Sequence, residues 1–130
     1  MIQPYLIPAT TRIDPRGVLR VWEHLPFAVV RAFQISDVPK DETRANHAHK
    51  TCTQIIACTT GKFILITAHK SGSVSWFMKE GDSVYVPPLT WIILDKFSTY
   101  AKCMVFCSEQ HSPPITEFVE LERLWNDSVS

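Results

Sequence analysis

His47 and His49, separated by one residue, are the side chains of this sequence best suited to chemistry. A neutral imidazole, with an ordinary pKa of about 6.5, can accept a proton from carbon and return it near neutral pH. Because alternate residues of a β-strand share a face, the two rings are expected to project together. The competing interpretation places them on the polar, half-exposed face of an antiparallel sheet.

The residues that follow this pair have a spacing that resembles that of the cupins. Gln54 comes on the next segment, where it can approach the same pocket, and Gly61 and a Gly81 to Pro87 element follow in order. Many cupins bind a metal through the two histidines, a glutamate and a later histidine, but here Gln54 and Ile92 replace the last two. Two imidazoles and a neutral amide are a poor ligand set for a divalent ion. We therefore expect no tightly held metal and no other cofactor.

Short runs of β-branched and aromatic residues, broken by Gly, Pro, Asp and Ser, must position these side chains. The expected strands are Val18 to Glu23, Ala28 to Ile35, Ala45 to His49, Thr53 to Thr59, Lys62 to Ala68, Val74 to Lys79, Ser83 to Val86, Thr90 to Leu94 and Ala101 to Cys107. Only Thr116 to Asn126 has helical spacing, which predicts a packing helix. This rhythm indicates an all-β fold, an antiparallel barrel or sandwich. The resemblance to the cupins implies a cupin or jelly-roll antiparallel β-barrel with a short C-terminal helix, forming a single cupin domain over residues 1–130.

Composition excludes several partners. The 13 Lys and Arg residues balance 13 Asp and Glu residues, so no net field attracts nucleic acid or an anionic membrane. No apolar run approaches the roughly 20 residues of a membrane span, and we expect a cytoplasmic protein.

The four cysteines form no Cys-x-x-Cys pair and lie in apolar runs, which predicts buried, reduced thiols: Cys52, Cys58, Cys103 and Cys107. Three histidines in turn-like or terminal positions are expected at the surface: His24, His69 and His111.

An ordered set of motifs resembles the nucleotide-sugar 3,4-ketoisomerases, a cupin family, over most of the chain. The motifs are Asp14-Pro15-Arg16-Gly17, Leu25-Pro26-Phe27 followed by Val30-Arg31, Arg44-Ala45-Asn46-His47-Ala48-His49-Lys50, Gln54, Pro87 to Trp91, and Asp95-Lys96-Phe97-Ser98. The family usually has glycine at Ala45, tyrosines in the segment Ala32-Phe33-Gln34, and histidine at Ile92.

The resemblance implies isomerisation of dTDP-4-keto-6-deoxyglucose to a dTDP-3-keto-6-deoxyhexose. Such a step belongs to the biosynthesis of unusual deoxyaminosugars for surface polysaccharide, such as the O-antigen of lipopolysaccharide. His47 would take the C3 proton to give an enediol, and His49 would move protons between O3 and O4 or polarise the carbonyl. The reverse assignment of the two histidines stays open. The substrate-binding set would be Arg16, Arg44, Gln54, Phe33 and Trp91.

Four residues of that set have side chains whose chemistry suits a nucleotide sugar. A guanidinium matches phosphate oxygens, so Arg16 and Arg44 are candidates for the diphosphate, with an exposed solubilising arginine as the alternative. Phe33 and Trp91 would wall the pocket or stack on thymine, with ordinary core packing as the alternative.

The resemblance also implies a homodimer, with the apolar segment Ile2 to Ile7 adding to a neighbour's sheet edge. Two other functions compete with the isomerase. A non-catalytic cupin that binds a nucleotide sugar is favoured by the missing tyrosines and by Ile92, whereas a metal-dependent cupin of another class is disfavoured by Gln54 and Ile92.

Overall fold

Two antiparallel sheets face each other across an apolar core in the computed structural model, which describes residues 2–127. The strands are β1 (Tyr5–Leu6), β2 (Thr10–Asp14), β3 (Gly17–Val21), β4 (Arg31–Ser36), β5 (Arg44–His47), β6 (Gln54–Thr60), β7 (Lys62–His69), β8 (Gly72–Lys79), β9 (Ser83–Val86), β10 (Trp91–Asp95) and β11 (Lys102–Cys107), and helix α1 (Phe118–Asp127) follows them. The described helix is too short to cross a bilayer.

The larger sheet has the order β1-β9-β6-β11-β4 and the smaller one β5-β10-β7-β8, while β2 and β3 form a separate hairpin. Strand alternation builds the core between the two large sheets. On β7, for example, Phe63 and Leu65 are buried and their neighbours are less so, because successive side chains of a strand point to opposite faces. This arrangement confirms the jelly-roll prediction, although the two sheets face each other as layers and are not closed into one barrel.

A second, smaller core lies under the C-terminal helix. Its buried members are Ala48, Trp91, Ile115, Leu121 and Trp125. The predicted packing helix therefore corresponds to α1, and the nine predicted strands correspond to β3 through β11 with ends shifted by a few residues.

Three parts of the fold differ from the sequence-based expectations. The segment around Tyr5–Leu6, expected on a neighbour's sheet, pairs with β9 of its own chain. Strand β2 was not predicted, because Thr10–Asp14 lacks apolar alternation and forms by pairing with β3 across the turn that ends at Gly17. His69 is buried, not at the surface: it ends β7 on the inward-facing side, and Ser71 Oγ lies 2.9 Å from its Nδ1. The four cysteines are buried and free, as expected.

Candidate active site

A small cavity of about 90 Å³ lies between the two large sheets. The larger sheet lines it with Phe33, Ile35, Gln54, Ile56 and Val105, and the smaller sheet with Arg44, Ala45, His47, Ile92 and Leu94. Four residues that were singled out in the sequence are thus brought together here: Phe33, Arg44, His47 and Gln54. The remaining walls are apolar, so the few polar groups are set in a largely apolar surrounding.

The strand that carries His47 is irregular just before it. Ala45 and Asn46 both have left-handed backbones, with φ of 68° and 59°. The register against β10 shifts at this point, because Ile92 lies opposite His47 and Ile93 lies opposite Ala45. An extra residue in one strand bends it and turns the following side chain. This bulge sets the direction in which His47 leaves the sheet.

The two histidine rings contact each other. Their centroids are 4.9 Å apart and their planes are inclined by 71°, an edge-to-face arrangement. Nδ1 of His47 is buried and has no hydrogen-bond partner among residues 2–127. Within residues 2–127, no other residue hydrogen-bonds this nitrogen, although the ring also interacts with the backbone of His47 itself.

Burial keeps both imidazoles neutral. It lowers the pKa of His47, and it lowers the pKa of His49 to about 4, where repulsion from His47 and Arg31 acts in the same direction. Near neutral pH both rings are therefore in the form that accepts a proton.

Arg31 belongs to this region, although the sequence reading did not select it as a site residue. Its guanidinium carbon lies 4.6 Å from the centre of the Phe33 ring, and its Nη1 lies 3.9 Å from Cys107 Sγ. Gln54 Nε2 lies 3.6 Å from the same sulfur. Strand alternation could have identified Arg31 from the sequence, because Arg31, Phe33 and Ile35 are every second residue of β4 and share its inner face.

Two predicted binding residues lie elsewhere. Arg16 is at the turn of the β2–β3 hairpin, where its side chain is 90% exposed and pairs with Asp14 at 2.7 Å. Trp91 is buried in the helix core: its indole N–H donates to Asn46 Oδ1 at 3.1 Å, and its ring meets Phe118 edge-on at 5.2 Å. The packing alternative therefore describes Trp91 better than a role in lining the cavity.

The side chains at the cavity are a poor metal site. Ile92, one of the wall residues, contributes only hydrocarbon to the cavity. Within residues 2–127, no three His, Cys, Asp or Glu side chains come together in a group able to hold a metal ion.

Facing antiparallel sheets, with His47 at a cavity between them and His49 in contact with His47, define a protein of the cupin class. The family model FdtA, described as WxcM-like, C-terminal, matches residues 4–118, and the chain belongs to this family. It is 30% identical over 104 residues to the TDP-4-oxo-6-deoxy-alpha-D-glucose-3,4-oxoisomerase of Aneurinibacillus thermoaerophilus, an alignment that covers 76% of this chain and 74% of that protein.

Solved structures share the fold. A double mutant of the QdtA 3,4-ketoisomerase from Thermoanaerobacterium thermosaccharolyticum, in complex with TDP, superposes with a TM-score of 0.92 at 23% identity, covering 99% of this chain and 98% of that chain. A 3,4-ketoisomerase from Helicobacter canadensis gives a TM-score of 0.91 at 23% identity, covering 98% of this chain and all of the other (100%). NovW, a 4-keto-6-deoxy sugar epimerase from Streptomyces spheroides, is less similar, with a TM-score of 0.74 at 17% identity over 85% of this chain and 65% of that one.

Proposed function

We propose that this protein is a sugar-nucleotide 3,4-ketoisomerase that converts dTDP-4-keto-6-deoxyglucose to a dTDP-3-keto-6-deoxyhexose without a cofactor. The observation that carries the proposal is the neutral His47 imidazole at the cavity, with one nitrogen that no other residue among 2–127 hydrogen-bonds and His49 in contact with it. The family relationship supplies the substrate class, because the curated relative is named as an oxoisomerase of this sugar.

The reaction needs only proton transfers. His47 takes the proton from C3, the electron pair of that C–H bond forms the C3=C4 double bond, and O4 gains a proton to give an enediol. O3 then loses its proton as the C3 carbonyl forms, and C4 gains one. His49 contacts His47 and is suited to carry protons between O4 and O3, and the exchanged assignment of the two rings uses the same steps.

Arg44 is the candidate for the diphosphate. It lines the small internal cavity and also an open groove of about 450 Å³ formed largely by residues 34–43. Because the internal cavity is small, at about 90 Å³, the proposal places the sugar end of the substrate in it and the diphosphate towards its mouth. A guanidinium at the junction of cavity and groove offers paired donors to phosphate oxygens there. In this proposal Gln54 and Phe33 contact the sugar.

The test is turnover of dTDP-4-keto-6-deoxyglucose by the purified protein, followed by NMR in D2O. We expect the 3-keto product to form with solvent deuterium incorporated at C4. His47→Asn should abolish product and exchange, because an amide cannot accept a proton from carbon, while dTDP binding persists. His24→Asn, at an exposed turn, is the matched control and should behave as the parent does. Exchange by His47→Asn at a rate comparable to the parent's would show that His47 is not the base.

A second candidate function is non-catalytic binding of a nucleotide sugar. The observation that favours it is that Phe33 and Ile92 supply no hydroxyl or imidazole to the cavity. In that case the parent binds dTDP and yields neither product nor exchange. Arg44→Ala should weaken dTDP binding under either function, whereas Arg123→Ala, on the exposed side of α1, should not.

We also propose that two chains form a homodimer through the β2–β3 hairpin. In the part of the chain that the structure describes, this hairpin pairs with neither large sheet, and Ile13, Val18 and Leu19 on it are 76%, 54% and 57% exposed. A lone two-stranded hairpin is marginally stable in water, so a second copy is a fitting cover for its apolar side chains. Arg16 at the hairpin turn would then be available to the diphosphate bound by the neighbouring chain.

A further inference from the structure

We propose that the C-terminal segment positions the histidine pair, with Trp125 of α1 as a positioning residue. This inference rests on the proposed isomerase function, but its physical content is a set of contacts between the histidine run and the residues from Ile115 to Trp125. Packing alone would explain a buried helix face. The hydrogen bonds and ring contacts of this segment have a further effect, because they fix the backbone on each side of His47 and His49.

On the C-terminal side, one residue links the helix to His49. The indole N–H of Trp125 donates to the carbonyl oxygen of Leu89 at 2.6 Å. The N–H of Leu89 in turn donates to the carbonyl oxygen of His49 at 2.7 Å. Leu89 has a left-handed backbone, with φ of 59°, a conformation that a leucine keeps only where its surroundings hold it. Helix α1 therefore fixes the position of Leu89 through Trp125, and Leu89 in turn fixes the backbone of His49.

Between the two histidines, Ala48 is fixed by the segment that leads into the helix. Its N–H donates to the Ile115 carbonyl at 3.0 Å, and the Ile115 N–H donates to the Ala48 carbonyl at 2.8 Å. Ala48 is fully buried at 0% exposure, so these are protected hydrogen bonds in an apolar surrounding. The backbone of Ala48, which connects His47 to His49, therefore has little freedom to rotate.

On the N-terminal side, Trp91 bonds the side chain of Asn46, the extra residue of the bulge. Phe118 of α1 lies between the two indoles: its ring centre is 5.2 Å from that of Trp91 and 5.6 Å from that of Trp125, edge-to-face in both cases. The two tryptophans that anchor the histidine run are thus coupled through one helix residue. Movement of α1 would change both anchors together.

The geometry matters because catalytic groups are sensitive to small displacements. A misplacement of about 1 Å can cost on the order of a hundredfold in rate. Ala45 and Asn46 hold left-handed conformations directly before His47, so the run has a lower-energy alternative as soon as its anchors weaken. Loss of an anchor is therefore expected to move the imidazoles while the sheets stay folded.

The test is Trp125→Phe, which removes the indole N–H and keeps an aromatic ring against Phe118. Trp76→Phe is the matched control: its indole N–H also makes one hydrogen bond, to Thr67 Oγ1 at 3.0 Å, but it lies on β8, and neither Trp76 nor Thr67 hydrogen-bonds the histidine run. The first readout is the NMR titration of the His47 and His49 rings, which requires no turnover. The second is kcat and KM for dTDP-4-keto-6-deoxyglucose.

We expect Trp125→Phe to shift both ring resonances, to raise the pKa of His49 towards its ordinary value, and to lower kcat about tenfold or more with KM changed less than threefold. Trp76→Phe should leave the titration and kcat as in the parent. The inference is overturned if the two variants give the same titration and the same kcat. Absence of isomerisation by the parent would count against the proposed function alone, because the ring titrations still decide whether α1 positions the histidines.

Discussion

Ala45 has the backbone conformation of a glycine, with φ of 68°, directly before the histidine run. A left-handed conformation costs an L-residue roughly 1–2 kcal/mol. Glycine avoids this cost, but its greater loss of conformational entropy on folding costs about 0.5–1 kcal/mol relative to alanine. We therefore predict that Ala45→Gly raises the free energy of unfolding by roughly 0.5–1 kcal/mol, measured by urea denaturation.

The control for this prediction is Ala32→Gly. Ala32 lies on β4 and is not among the residues with positive φ, so the glycine brings only its entropic cost and should destabilise by about 0.5–1 kcal/mol. Equal effects of the two substitutions would mean that Ala45 is not strained.

His49 gives stability a pH dependence. Its pKa is lowered from 6.5 to about 4 in the folded protein, mainly by burial. Between those values the unfolded chain binds more protons than the folded one, so the free energy of unfolding rises with pH. Stability is fully present above pH 6.5 and is lost as pH falls towards 4, by about 1–2 kcal/mol after allowance for partial exposure. His49→Gln should flatten this slope in urea titrations at several pH values, and His24→Gln, at an exposed turn, should not.

Some of the candidate site was predictable residue by residue. His47 and Gln54 were found because strand alternation and short spacings are local properties of the sequence. Arg31 was equally accessible by alternation along β4. The role of Trp91 was not accessible, because its partners are Asn46 and Phe118, which are distant in the sequence and come together only in the fold.

Among the elements, helix α1 is expected to contribute stability out of proportion to its length. Leu121 is 0% exposed in the core beneath it, and truncation of a fully buried leucine typically costs 2–5 kcal/mol. We predict that Leu121→Ala lowers the free energy of unfolding by about 3 kcal/mol. Val119→Ala, at a position 60% exposed on the same helix, should change it by less than about 0.5 kcal/mol. Similar losses for the two variants, measured by thermal or urea unfolding, would contradict the helix packing described above.

The strands differed in how well the sequence predicted them. Apart from the edge strand β1, most strands of the two large sheets alternate apolar and polar residues or are largely apolar, and these patterns follow from burial on one or both faces. The segments β1 and β2 carry no such pattern. Tyr5–Leu6 is a two-residue edge whose pairing is decided by β9, and Thr10–Asp14 forms a strand because its partner β3 follows a tight turn. Pairing partners, not local periodicity, define those two strands.

For the whole molecule, the proposed dimer makes a prediction about mass. Light scattering of the parent should give twice the chain mass, and Ile13→Asp should give a monomer, because a charge would be buried against the neighbouring chain. Phe77→Asp is a matched control, since Phe77 on β8 is 77% exposed and Ile13 is 76% exposed. A parent that is monomeric at every concentration would exclude the dimer. Dissociation by Phe77→Asp but not by Ile13→Asp would move the interface to β8.

The hydrogen bonds between Ala48 and Ile115 also set an order of events during synthesis. The ribosome releases the histidine run well before it makes Ile115 and Trp125. Until then, the N–H and the carbonyl of Ala48 lack the two Ile115 backbone groups that they pair with, and the Leu89 carbonyl lacks the indole N–H of Trp125. A nascent chain stalled before Ile115 can pair many of its strands but cannot hold the two imidazoles in place, so catalytic competence should arise only after the segment from Ile115 to Trp125 has been made and has folded onto the histidine run.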